Sequence, residues 1–381
     1  MKQVVIFGED WGRHMSTAQF IAGALLKKCQ ILWVDSLAYR VPDFGKKDIR
    51  RIIHKISTHF NGIASPEKNL FVFTPLLIPL QRLSLIRRFN SLLLRLYLRH
   101  FLKKLGFKDF TLMTAGPLAE PVIGRLGEKK SIYYCADHYG TLPGISPVMI
   151  DKLEKRLSKK VDVTIATSET LFELLTNSFS NVVYVPHGVD YHHFSRRRIS
   201  PKDIPEEIRG LNRPVIGYHG LIQHILETRI LEEIADLHPE WNLVLIGDTL
   251  FDAGSVPLRP NIHLLGKKPY EILPDYLGSF QVGLIPYKIT KNTLFRNPVK
   301  LREYLAAGIP VVSTPLPESK RYEPHVKIAK TSKEFVSSIE YFLKNDNDLL
   351  KEQRMELMRE ESWERVAEKI YNELYESDAA H

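Results

Sequence analysis

The stretch NPVKLREYLAAGIPVVSTPLPE (297–318) decides how the chain is read. Pro298 suits the N1 position of a helix, LREYLAA continues it, Gly308 stops it, and IPVVST resumes as a strand. Lys300 and Glu303 stand three apart, so they share a face within the first two helical turns. A helix N-terminus that carries a lysine suits a diphosphate, because its free N–H groups and the positive end of its dipole favour anions. Glu303, one turn deeper, can accept hydrogen bonds from both hydroxyls of a ribose. The plainer reading of the same two residues is a solvated Lys–Glu pair on an amphipathic helix.

Outward from this stretch the pattern repeats. PVIGYHG (214–220), WNLVLIGD (241–248), NIHLLG (261–266) and QVGLIPY (281–287) read as strands, with helices near 225–237, 269–278 and 298–306. Further helical stretches near 332–345, 348–361 and 363–376 end the chain. In the first half VVIFG (4–8), ILWVDS (31–36), NLFVFTP (69–75), FTLMTA (110–115), SIYYCA (131–136), VDVTIATS (161–168) and NVVYVP (181–186) alternate with helical patterns. Ser16 is placed to cap the helix through TAQFIAGALLKK. Short apolar runs buried on both faces and separated by helices predict parallel sheets with crossover connections. Between the two arrays, 187–214 is rich in charge, Gly and Pro and lacks periodicity. The expected fold class is therefore α/β, with two doubly wound Rossmann-like domains facing across a cleft. The first domain is expected at 1–190 and the second at 191–362. Ligands of such sheets bind beyond the C-terminal strand ends.

Composition narrows the function. With 44% hydrophobic and 25% charged residues the chain is an ordinary globular protein, neither disordered nor fibrous. Cys29 and Cys135 cannot build a disulfide framework and suit a reducing compartment. The N-terminal apolar run is too short for a signal peptide. The longest run, LFVFTPLLIPL (70–80), holds two prolines and falls short of the roughly 20 residues a spanning helix needs. A cytoplasmic location is expected. Charge is uneven: residues 1–200 carry 30 Lys/Arg against 16 Asp/Glu, while the whole chain has a net charge of only +9. RLSLIRRFNSLLLRLYLRHFLKKLGF (82–107) concentrates it in Arg87, Arg88, Arg95, Arg99, Lys103 and Lys104, with no acid. Leu85, Phe89, Leu92, Leu93, Leu96 and Leu102 recur there near helical spacing. Such a helix can lie in the headgroup layer of an anionic membrane, at about 1 kcal/mol per basic residue. It can equally pack on its own sheet with a solvated basic back, and both can hold for different faces. The expected location is thus peripheral, on the inner face of the cell membrane.

NPVKLREYLAAGIPVVST resembles the donor-binding segment of the GT-B-fold glycosyltransferases, a bacterial family that builds surface polysaccharides. PVIGYHGLI (214–222) resembles the glycine loop of their nucleotide domain, VPHGVDYHHF (185–194) their interdomain turn, and SWERVAEKIYNEL (362–374) their closing helix. The resemblance implies the GT-B fold, with a C-terminal helix (363–381) returning to the first domain. It implies a nucleotide-sugar donor of UDP or GDP type and a saccharide acceptor, lipid-linked in the leading reading. Carried over by position, Lys300 meets the donor diphosphate and Glu303 the ribose. Gly220 lets the backbone approach the phosphates, Gly266 and Lys267 lie beside the base, and Tyr287 lines the pocket. Many members carry a glutamate at the position of Phe295; here Arg296 either supplies a charge contact instead or is a surface arginine.

In the first domain, SIYYCADHYGTLPG (131–144) places Asp137 and His138 directly after a strand. Asp137 either deprotonates an acceptor hydroxyl or caps the following turn. The segment resembles the region holding the proposed base of xanthan-type glucuronosyltransferases, which favours the base and hence inversion, whereas the C-terminal pattern is common in retaining enzymes. His138 is the alternative base or orients Asp137. In the loop GEDWGRHMST (8–17), Arg13 and His14 are candidates for acceptor contacts. The 14 histidines show no metal-ligand spacing, so no metal or other cofactor is expected beyond the nucleotide-sugar as co-substrate. A sugar-nucleotide epimerase on the same fold is the alternative. Nucleic acid is not an expected partner, since no recognised motif accompanies the leucine-rich basic run.

Overall fold

The structure is a computed structural model that describes residues 1–13, 15–37, 55–60, 62–78, 83–142, 144–196, 204–250 and 259–375. His14 lies outside the described residues. The chain divides into two compact units, Met1–Pro186 with Glu364–His381, and His187–Trp363.

Eight strands make the sheet of the first unit: β1 (Lys2–Phe7), β2 (Cys29–Val34), β3 (Ile63–Glu67), β4 (Leu70–Phe73), β5 (Thr111–Thr114), β6 (Lys130–Cys135), β7 (Val163–Ala166) and β8 (Val182–Tyr184). Their order is β3-β4-β2-β1-β5-β6-β7-β8. Pairing is parallel except at one edge, where β3 runs antiparallel to β4. That hairpin departs from the all-parallel expectation. Asn69, at φ 69°, takes the left-handed conformation that its turn needs. Central strands are apolar throughout because helices cover both faces: Val4, Val5, Ile6, Ile31 and Leu32 are all fully buried. Ser16 caps the helix Thr17–Leu25 by accepting from the Gln19 N–H. The last helix, Trp363–Tyr375, is built into this unit from Glu364 onward. It buries Val366, Ala367, Ile370 and Leu374, and the Tyr375 hydroxyl donates to the Gln3 carbonyl at 2.8 Å.

The basic stretch forms the helix Ser84–Lys104. Leu94, Leu98 and Leu102 are buried with Asn90, whereas Leu85, Phe89, Leu92 and Leu96 are exposed. Leu102 therefore belongs to the packed face and not, as the spacing alone suggested, to the same apolar stripe as Leu85. The exposed four recur at intervals of four, three and four, which is one face of a helix.

The sheet of the second unit contains β9 (Val215–His219), β10 (Asn242–Ile246), β11 (Ile262–Leu264), β12 (Val282–Ile285), β13 (Val311–Ser313) and β14 (Val326–Ile328). It is parallel throughout, in the order β11-β10-β9-β12-β13-β14. The order reverses between β9 and β12, and between β1 and β5 in the first unit. At such a point the crossover helices leave to opposite faces and open a crevice at the C-terminal strand ends. The helix predicted from 298 spans Val299–Ala306, and Pro298 is its N-cap instead of its first residue, because ψ of 111° keeps it extended. Gly217 in β9 is needed for packing: a Cβ there would lie 1.9 Å from the ring of Phe280. Gly217→Ala should therefore overpack this core and cost about 1–3 kcal/mol, read as a lower thermal unfolding midpoint.

Candidate functional site

In the second unit the site is assembled at the β9–β12 reversal. The back of the helix Val299–Ala306 is fixed first. Arg302 is fully buried, and its guanidinium donates to Asn297 Oδ1 and, at 2.8 Å, to Glu361 Oε2. The Tyr322 hydroxyl donates to that same carboxylate oxygen at 2.6 Å. With Arg302 held on one side, Lys300 and Glu303 are presented on the other.

Lys300 Nζ donates to the Tyr218 hydroxyl at 2.9 Å and lies over the rings of Tyr218 and Tyr287, 4.2 and 5.2 Å from their centroids. Burial works against its charge, but these two phenols more than offset it and hold the ammonium above its ordinary range. Gly220, at φ 115°, is what admits the lysine: a Cβ there would stand 2.4 Å from Nζ. Glu303 Oε2 lies 3.3 Å from His219 Nε2. Burial pushes the Glu303 carboxyl up to about 7, with Lys300 opposing and Asp190 reinforcing the shift. His219 is driven the other way, well below its ordinary range, by burial and then by Lys300, so its ring is neutral. Asp190 caps the short helix Tyr191–Phe194 by accepting from the His193 N–H at 3.1 Å. The ring of Tyr270 stacks on His193 at 4.3 Å.

The neighbouring strand ends complete this edge. The Gly220 N–H donates to the Ile246 carbonyl, and the Gly247 N–H donates to the Gly266 carbonyl at 2.9 Å. Gly266 and Lys267 therefore lie at the same sheet edge as Gly220, with Lys267 3.9 Å from Asp248 on the surface. Phe295 closes the helix Lys291–Leu294 as its C-cap, and Arg296 donates to Asn292 Oδ1 within that turn. Of the residues singled out in sequence, Gly220, Tyr287, Lys300 and Glu303 meet in one cluster. Tyr218 and His219, directly before Gly220, and Asp190 and Tyr270, from other segments, join them.

In the first unit a cavity of about 520 Å³ lies at the β1–β5 reversal. Arg13, Asp137, Glu9, Asp10, Ser16 and Tyr139 are among its walls. The loop after β1 is tied down, since the Trp11 N–H donates to Asp35 Oδ1 at 2.9 Å and Trp33 Nε1 donates to the Glu9 carbonyl at 2.9 Å. Arg13 lies 3.8 Å from Asp10, which also pairs with Lys55 at 2.9 Å. Asp137 is half-buried in the wall. His138 follows it outside that lining, with its carbonyl accepting from Thr141.

Residues 213–345 match the family described as Glycosyl transferases group 1. A putative teichuronic acid biosynthesis glycosyltransferase of Bacillus subtilis, TuaH, is 28% identical over 254 residues, which span 61% of this chain and 63% of that relative. Solved structures align over the whole length. Sucrose-phosphate synthase from Thermosynechococcus elongatus does so with a TM-score of 0.72 at 12% identity, covering 100% of both chains. Anabaena HepE in complex with UDP and glucose gives 0.67 at 13% identity, over 99% of this chain and 100% of its own. An Escherichia coli trehalose-6-phosphate protein bound with UDP-2-fluoro glucose gives 0.66 at 12%, over 98% and 99%. The second unit thus holds a group 1 glycosyl transferase domain, in a chain with the GT-B fold.

The raised Glu303 carboxyl predicts a pH dependence. The folded state holds a proton on Glu303 up to about pH 7, whereas the unfolded chain releases it near 4.5. Its contribution is therefore fully present below 4.5 and lost as pH rises through 7. The stability of wild type minus that of Glu303→Gln, from urea unfolding at a series of pH values, should fall across this window. A flat difference would show that the carboxyl is not buried as described.

Proposed function

We propose, from a group 1 domain set in a GT-B fold, that this chain transfers a sugar from a UDP-sugar to a saccharide acceptor in the building of a surface polysaccharide. The observation that carries the reading is the cluster at the β9–β12 reversal. One cation, Lys300, is held beside the start of a helix, and a carboxyl, Glu303, stands one turn deeper. A diphosphate fits the lysine and the helix N–H groups, which take up the charge of the leaving group without a metal ion. Ribose hydroxyls fit the Glu303 carboxylate. The TuaH likeness and the UDP ligands of HepE and the E. coli protein support the same donor and product class.

The acceptor belongs in the first unit's cavity. There the Asp137 carboxylate takes the proton of the acceptor hydroxyl as its oxygen bonds to the anomeric carbon. The bond from that carbon to the diphosphate breaks, the diphosphate leaves with the electron pair, and the configuration inverts. Arg13, on the same wall, contacts the acceptor.

The acceptor is lipid-linked in this reading, and the support is the helix Ser84–Lys104. No helix among the described residues is long and apolar enough to cross a membrane. This one exposes Leu85, Phe89, Leu92 and Leu96 together with Arg88, Arg99, Lys103 and Lys104, while Arg87 and Arg95 are half-buried beside them. An apolar stripe flanked by cations suits a helix lying in the headgroup layer.

UDP should raise the unfolding temperature more than GDP, ADP or dTDP, since a ligand at 100 times its Kd adds about 2.7 kcal/mol. Lys300→Ala and Glu303→Ala should abolish that gain. If no nucleotide stabilises the wild type, the donor assignment fails. Asp137→Asn should keep the UDP shift and lose most turnover with the acceptor; unchanged turnover would remove Asp137 as base. The protein should co-sediment with phosphatidylglycerol vesicles at low salt, and replacing Leu85, Phe89, Leu92 and Leu96 by Glu should release it. Equal sedimentation of the two proteins would exclude this face.

A further inference from the structure

We infer that His219 is a positioning residue for the donor: its Nε2, 3.3 Å from Glu303 Oε2, serves as the N–H donor that holds this carboxylate ready for the ribose hydroxyls. The inference rests on the reading of Glu303 as the ribose contact.

His219 is the last residue of β9, and its side chain is about 6% exposed. Its place is set independently of Glu303. The backbone N–H donates to the Tyr304 hydroxyl at 2.9 Å, and the ring meets Tyr304 edge-on at 4.8 Å. Tyr304 in turn donates to the Gly217 carbonyl at 3.2 Å. Nε2 is thereby left buried, without a hydrogen-bond partner of good geometry, 3.3 Å from Glu303 Oε2. A buried nitrogen in that position costs free energy unless it is used, and the group opposite it is a carboxyl.

The groups facing Glu303 decide which way the proton lies. Lys300 and Tyr304 come from its own helix, Asp190 from the interdomain turn, Tyr270 from the segment after β11, and His219 from the end of β9. Lys300 favours the carboxylate, while Asp190 and burial oppose it. The imidazole is uncharged, so it exists as one of two tautomers. With the hydrogen on Nε2 it donates to a carboxylate, which keeps both Glu303 oxygens as acceptors. With the hydrogen on Nδ1 it can only accept from a protonated Glu303, which removes one acceptor oxygen. The two states differ by one proton, and only the first serves two ribose hydroxyls. His219 therefore favours the form that binds donor, without touching the donor itself.

The test is the pH dependence of UDP binding by calorimetry in wild type, His219→Phe and His219→Gln. UDP affinity in wild type should rise as pH passes about 7, where Glu303 ionises. In His219→Phe the carboxylate loses its donor, so the rise should move to higher pH. Binding should be about tenfold weaker near neutrality, the size expected for a hydrogen bond to a charged group, and approach wild type in alkali. His219→Gln keeps an N–H donor and should restore most of the wild-type profile. A rise at the same pH in all three proteins, or equal weakening of both variants at every pH, would overturn the inference.

Urea unfolding across the same pH range separates the two failures. If UDP does not bind the wild type at any pH, the donor reading fails and the donor role of His219 with it. If UDP binds but the Glu303 step in the unfolding profile stays in place in His219→Phe, only the positioning role fails.

Discussion

The site depends on the burial of one charge, that of Arg302, on the far side of the helix from Lys300 and Glu303. Arg302 sits between Lys300 and Glu303 in sequence but points to the other side of the helix, where Glu361, Asn297 and Tyr322 receive it. Removing one partner of such a buried pair leaves an uncompensated charge, a loss of about 3–5 kcal/mol. That constraint fixes the rotation of an eight-residue helix that has no side-chain N-cap to hold it. A helix this short is marginal by itself, so its register against the sheet comes from tertiary anchors. Glu361 also ties the helix to the chain's exit from the second unit. The Val189 N–H donates to the Glu361 carbonyl, and the Trp363 N–H donates back to the Val189 carbonyl, each at 3.0 Å. The residues that enter and leave this unit are thus paired next to the anchor of Lys300 and Glu303.

What the sequence made legible was what is local. Sheet strands could be read because burial on both faces leaves uninterrupted apolar runs such as VVIF and NLVLI. The Lys300–Glu303 pair could be read because its geometry follows from a spacing of three. IASPE (63–67) could not be read as β3, because four of its five residues are exposed and one is proline, so no apolar alternation marks an edge strand. The start of the helix at 299 was missed by one residue, since proline satisfies both N-cap and N1 by its fixed φ. In the basic helix leucines occur on nearly every face. Only the packing against the sheet tells Leu102 from Leu96.

Tyr218, His219, Asp190 and Tyr270 stayed hidden for a different reason. Their roles depend on separations of more than thirty residues and, for Lys300 with Tyr218, of 82. Nothing in GYHG marks its tyrosine as a partner for a lysine or its histidine as a neighbour of a glutamate. The signal that could have found them is positional: they immediately precede Gly220, at the C-terminal end of the strand where the sheet order reverses. At such a strand end, any polar side chain that points into the crevice is a candidate.

The two units show what a shared topology leaves free. Both sheets reverse order beside their first strand, so both open a crevice at the same kind of place. In the second unit the crevice is closed in by aromatic rings around one lysine and one carboxyl; burial shifts the protonation of Glu303 and His219, while Tyr218 and Tyr287 keep Lys300 charged against it. In the first unit the cavity is about 520 Å³, with Glu9, Asp10 and Asp137 against Arg13 on its walls. Burial of the kind in the second unit strengthens each electrostatic contact. Charges on the walls of an open cavity are screened by solvent and act on each other more weakly. The strand order places a crevice in each unit, and the degree of burial around the charges sets how strongly those charges interact.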